Sequence, residues 1–146
     1  MLKGELIQPD ILAALGRAGH GAKILIADGN YPFSIHSGPK ASIVQLNLSP
    51  GVVSCTQVLH ALLTAIPVED AAVMDYGNAL PADPPIWAEF VQLLAGAGFE
   101  NPLTRIERFE FYDVASAPDV ALTIATGDQA IYANLLLTIG VVAPPG

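Results

Sequence analysis

Lys23-Ile24-Leu25-Ile26-Ala27-Asp28 is the stretch on which the fold turns. Four apolar residues in succession fit a strand buried on both faces. The run is too short for a helix and is bounded by Gly19-His20-Gly21 on one side and the breaker-rich residues 29–40 on the other. Upstream, Pro9-Asp10 followed by Ile11, Leu12, Ala14 and Leu15 predicts a capped amphipathic helix that ends between Gly16 and Gly19. Downstream, Ser42-Ile-Val-Gln-Leu46 predicts a strand. Val58, Leu59, Leu62, Leu63 and Ile66 recur at helical spacing across Ser54–Ala65, and Ala71–Met74 reads as a strand. Ile86, Trp87, Phe90, Val91 and Leu94 form a helical stripe that stops at Gly96 and Gly98. Arg105–Tyr112 fits helix or strand equally. Val120–Ala125 predicts a strand, Thr126-Gly127-Asp128 a turn, and Leu135-Leu-Leu137 a further apolar segment that ends at Gly140. Strands interleaved with helices predict an α/β fold: one layered domain over residues 1–146, with a central mixed sheet flanked by helices. Ligands of such folds gather at the carboxyl ends of the strands.

Composition narrows the function. Hydrophobic residues make up 52% of the 146 and charged residues 14%, against about 25% charged in ordinary soluble domains. Such a chain is too apolar to be disordered, and a surface so poor in charge predicts burial between subunits, hence a homo-oligomer. Fourteen acidic against six basic residues give a net charge of −8, which repels phosphate backbones and argues against nucleic acid as a partner. Residues 41–68 lack any charge, but Gln45, Asn47, Ser49, Pro50, Gln57 and His60 interrupt the run, so no membrane span is expected. The first residues show neither a signal core nor a transit pattern, which predicts a cytoplasmic protein. Cys55 stands alone, reads as a small core residue, and joins no metal-binding spacing. Gly19-His-Gly21 lacks the remaining glycine of a dinucleotide fingerprint and no lysine-bearing phosphate loop exists, so no nucleotide cofactor is expected.

A few polar residues remain as candidates for chemistry. His20 lies between two glycines at a helix-to-strand turn, where its imidazole is accessible, and an imidazole is the side chain suited to giving and taking a proton at neutral pH. The alternative is a turn histidine bonded to a local carbonyl. Asp28 ends the strand, either as a loop cap or with its carboxylate in a ligand-binding mouth. Arg108 offers a planar fork of donors for hydroxyls or a carboxylate, or else a salt bridge with Glu107, Glu110 or Asp113 on a solvated face. Tyr132 and Asn134 flank Ala133 and share a face if that segment is extended. Glu107, Glu110 and Asp113, interspersed with arginines, read as an exposed charged face. His36 and His60 are weaker candidates, His60 as a partly exposed helix residue.

Taken in order, Gly19-His20-Gly21, Ala27-Asp28 with Asn30-Tyr31-Pro32, Arg105-Ile-Glu-Arg-Phe-Glu-Phe-Tyr112, Thr126-Gly127, and Tyr132-Ala133-Asn134 with Gly140-Val141 resemble the D-ribose pyranase / L-fucose mutarotase family over almost the whole chain. Met1-Leu-Lys-Gly4 and Pro85-Ile-Trp-Ala-Glu-Phe90 are similar to its fucose branch, where an arginine occupies the Arg108 position and ribose enzymes carry histidine. The resemblance implies that His20 is the proton donor and that Asp28, Arg108 and the Tyr132-Ala133-Asn134 segment bind the sugar. Tyr132 or a bound water is the expected second proton carrier. It also implies a cofactor-free, cytoplasmic isomerase acting on a monosaccharide, assembled in a ring, commonly a decamer, with sites completed by neighbouring subunits. Three stretches depart from the fucose pattern. Tyr-Ala-Asn looks more like the ribose branch, Asp113–Asp119 lacks the expected basic residues, and Phe33–Ser37 matches neither. These departures keep a D-ribose pyranase as a competing reading, and a non-catalytic sugar-binding module, which would share every binding residue, is another.

Overall fold

The computed structural model describes residues 1–146. Its elements run α1 (Pro9–Ala18), β1 (Lys23–Ala27), β2 (Ser42–Gln45), α2 (Cys55–Leu63), β3 (Val68–Met74), α3 (Pro85–Gly96), β4 (Thr104–Ile106), α4 (Arg108–Ala115), β5 (Val120–Ala125) and β6 (Leu135–Ile139). Six strands make one sheet in the order β2-β5-β1-β6-β3-β4. β1 pairs parallel with β5 and β5 with β2, and β3 pairs parallel with β4. β6 is antiparallel to both β1 and β3, so it alone runs against the other five. This is the mixed sheet expected from the sequence, and its one reversed strand sits at the centre.

Alternation along the strands sorts the core into two layers. Ile24, Ile26, Leu122, Ile124, Leu135 and Leu137 face α1, α2 and α3. Leu25, Ala27, Ala72, Met74 and Leu136 face the other way, against Phe111 and Ala115 of α4 and against Tyr31 of the long loop. The loop of residues 29–40 thus acts as a layer in its own right. Ser37 Oγ lies 3.1 Å from the fully buried Thr123 Oγ1, and Tyr31 Oη donates to the carbonyl of His36 at 2.8 Å. Gly38 is pressed so close that a Cβ there would sit 2.8 Å from the Ala117 carbonyl oxygen.

The helix ends follow local chemistry. Ser54 caps α2 through a reciprocal box with Gln57, and Pro9 and Pro85 open α1 and α3, where a missing N–H costs nothing. The ambiguous stretch 105–112 is both strand and helix. Its switch is Glu107, whose carboxylate accepts the N–H groups of Phe109 and Glu110 at 3.0 and 3.1 Å, stopping β4 and starting α4. Glu107, Glu110 and Asp113 are exposed, as expected of a charged face. Cys55 is fully buried at the start of α2, and burial pushes its thiol up to about 12. His60 is exposed on α2 and paired with Glu5 at 2.9 Å. No helix is long and apolar enough to cross a membrane.

Candidate functional site

The reversed direction of β6 builds the site. Asp28 follows the end of β1, and Asn134 precedes the start of β6; because these neighbours are antiparallel, both residues lie at the same end of the sheet. In a wholly parallel sheet they would lie at opposite ends. Asn134 Oδ1 accepts the Asp28 N–H at 2.8 Å, and Asp28 Oδ2 accepts the Ala133 N–H at 3.3 Å, while Asp28 Oδ1 accepts the Asn30 N–H at 3.0 Å. Asp28 is therefore the loop cap and a lining residue at once. Burial, with only 4% of the residue exposed, holds its carboxyl above the ordinary value of 3.8, the N–H donors pull it back, and the charge of Asp128 adds to the rise.

Asp28 opens on a cleft of about 180 Å³. Arg108, from the first turn of α4, and Tyr132 and Asn134 share it, with Met74 and Ile131 as an apolar wall. The volume lies below the roughly 300–1,000 Å³ of sites for drug-sized molecules, which suits a single small ring. The Arg108 guanidinium makes no salt bridge with Glu107, Glu110 or Asp113 and rests instead 5.9 Å from the ring centroids of Phe109 and Tyr112. No carboxylate occupies its donors, and the Tyr112 hydroxyl beside it favours the charged guanidinium. The condition of an extended segment is not met at Tyr132. Its φ is +53°, the one non-glycine residue of the chain in the left-handed region, a conformation that costs about 1–3 kcal/mol and concentrates at functional sites. Tyr132 and Asn134 still meet at the cleft, but through a turn and not along one face of a strand.

His20 lies elsewhere. It sits on a turn between Gly19 and Gly21, both at φ +83°, ahead of β1 and thus at the opposite end of the sheet from Asp28. With about 3.3 Å of rise per strand residue, His20 and Asp28 are on the order of 20 Å apart. The imidazole is 57% exposed and its Nε2–H donates to Glu69 Oε2 at 2.9 Å. Its surroundings are a separate cleft with Arg17, Lys40, Ser42 and Asp119. One chain therefore brings Asp28, Arg108, Tyr132, Ala133 and Asn134 together and leaves His20 outside.

Five lining residues, Ile131 among them, had no assigned role in the sequence. Asn30, Tyr31 and Tyr112 fall inside the segments that carried the resemblance, which was their only signal. Met74, the last residue of a buried strand, gave none. His36 is stacked on Tyr112 with ring centroids 4.3 Å apart but does not itself line the cleft.

The pH dependence of Asp28 has a definite sign. A carboxyl whose folded value is raised holds its proton more tightly in the folded chain, so its contribution is complete below 3.8 and is lost as pH rises through the folded value. The difference in melting temperature between the unsubstituted chain and Asp28→Asn should hold steady below about pH 3.8 and fall above it. A difference that rises with pH would mean that the carboxyl is stabilised in its charged form.

The chain is thus a three-layer α/β domain with a small cleft of Asp, Arg, Tyr and Asn side chains at the strand ends. Residues 1–142 match the RbsD / FucU transport protein family, and the chain belongs to that family. It is 36% identical to the fucose mutarotase of Homo sapiens, over 97% of this chain and 95% of that one. Two solved structures superpose on most of the fold. FucU from Bifidobacterium longum does so with a TM-score of 0.81 and 32% identity, covering 94% of this chain and 96% of its own. The fucose mutarotase in complex with L-fucose from Streptococcus pneumoniae has a TM-score of 0.77 and 27% identity, covering 94% and 95%.

Proposed function

We propose that the protein is a mutarotase, an isomerase that interconverts the anomers of a monosaccharide of the L-fucose type. The observation that carries this is the convergence of Asp28, Arg108, Tyr132 and Asn134 on one sugar-sized cleft, in a chain whose relatives are named fucose mutarotase. Anomer exchange opens the hemiacetal by breaking the bond between C1 and the ring oxygen, rotates the aldehyde about C1–C2 and closes the ring on its other face. One group gives a proton to the ring oxygen while another takes the proton of the anomeric hydroxyl. Both are returned on closure, so no electron changes hands.

In this reading Asp28 and Arg108 hold ring hydroxyls by charge-assisted hydrogen bonds, the Tyr132 phenol or a water carries the second proton, and His20 supplies the first. Since His20 stands at the far end of β1 from the cleft, the donor for each cleft is the His20 of a second copy. A closed ring of copies, each lending its histidine to the next, satisfies every site, and the low surface charge supports such an assembly in the cytoplasm. The separation of His20 from the cleft also gives a second reading its footing, that of a cleft which binds sugar without turning it over.

Exchange spectroscopy on the anomeric proton signals of L-fucose, D-ribose and D-galactose separates the two. Faster exchange of fucose with added protein is the expected result; binding measured by calorimetry without faster exchange favours the binding module. Arg108→His is the arm for sugar choice. It removes a two-pronged donor, so the fucose-to-ribose preference should fall about tenfold, the scale of one charge-assisted bond. An unchanged ratio would remove Arg108 as the selector.

A further inference from the structure

We propose that Trp87 is a positioning residue of the cleft, acting through Tyr132: its indole N–H holds the Tyr132 carbonyl and with it the left-handed backbone that turns the phenol toward the sugar. The inference rests on the mutarotase reading and adds to it a residue that does not line the cleft. Trp87 and Arg105 both lie in the segments that carried the family resemblance, yet neither has a part in binding or proton transfer so far.

Three observations converge on it. Trp87 Nε1–H donates to the Tyr132 carbonyl oxygen at 2.8 Å, across 45 residues of chain. On the other side of that peptide, Asp28 holds Ala133 and Asn134, so the segment is gripped from both flanks and Tyr132 stays at φ +53°. Trp87 itself is held in a cage. The Arg105 guanidinium lies 5.0 Å from the centroids of both the Trp87 and Tyr76 rings, and its charge is met by Asp75 at 2.9 Å and Asp83 at 3.1 Å. Tyr76 Oη donates to Asp83 at 2.7 Å, and the Tyr76 ring stands edge-on to Tyr132 at 6.1 Å. An indole has a single donor and no acceptor, so fixing its ring plane against Arg105 fixes where that donor points. A residue serving only to fill space would need the ring and not the N–H.

A double-substitution cycle tests the coupling. Trp87→Phe keeps an aromatic ring in the site and removes the donor, and Tyr132→Phe keeps the ring that Trp87 positions and removes its hydroxyl. L-Fucose binding by calorimetry and saturated exchange by NMR are measured for the unsubstituted chain, both single variants and the double variant. Trp87→Phe should weaken binding or slow saturated exchange about fivefold to tenfold, as expected for one hydrogen bond. In the Tyr132→Phe background the same change should alter either by less than about twofold. Equal factors in the two backgrounds would show that Trp87 acts by packing alone and would overturn the proposal, as would no effect of Trp87→Phe in either. If the smaller phenyl ring destabilises the fold, benzothienylalanine at position 87, which replaces the N–H by sulfur at the same shape, runs the same cycle. Should the unsubstituted chain neither bind nor exchange any monosaccharide, the mutarotase reading falls and takes this one with it. An active unsubstituted chain with additive variants sinks this one alone.

Discussion

His20→Ala is expected to slow anomer exchange by about 10²–10⁴-fold, the usual contribution of a positioned acid. At ~1.36 kcal/mol per tenfold that is a barrier increase of roughly 2.7–5.5 kcal/mol. The fold should not notice. The imidazole is more than half exposed and its one partner, Glu69, is on the surface too, an arrangement worth about 0–1 kcal/mol. Line broadening of the anomeric signals measures the first quantity and a thermal melt the second. The placement of His20 adds a sharper result. His20→Ala and Arg108→Ala chains, each slow alone, should regain exchange when unfolded and refolded together, because about one site in four then draws both intact residues from different copies. A mixture as slow as its components would end the shared-site reading, and equal line widths for His20→Ala and the unsubstituted chain would end the role of His20.

Phe90→Ala carries the largest expected loss of stability. Phe90 has no exposed surface and belongs, with Ile86, Trp87 and Leu94, to the buried face of α3 that rests on α2 and the sheet. Removing a buried phenyl ring costs about 3–5 kcal/mol through lost transfer energy and the cavity left behind. For a chain of this length that is a fall in melting temperature of roughly 6–20 °C. A fall of only a degree or two would mean that α3 is not docked as described.

The element boundaries were readable wherever periodicity and capping agreed. β1 and β5 begin and end where their apolar runs do, and α2 starts after Ser54 because the serine and Gln57 cap it. What failed to show was direction. Leu135-Leu-Leu137 is continuous, so its period does not separate strand from helix, and nothing local says that β6 runs backwards. That reversal puts Asn134 beside Asp28. The turn at Tyr132 was likewise hidden, since its support comes from an indole 45 residues away. The distance between His20 and Asp28 was, by contrast, legible: a strand was predicted between them, and a strand keeps its ends apart. The cleft residues Tyr31 and Tyr112 carried no signal in residue type and lay only within the segments of the family resemblance.

β1 has a consequence beyond stability. On the shared-site proposal, with His20 ahead of one tip and the cleft at the other, its five residues set a fixed pitch between what each copy would offer and what it would need. A solitary copy then carries two halves that never meet, so turnover per copy should vanish on dilution well before the fold does. The catalyst would be silent below a threshold abundance.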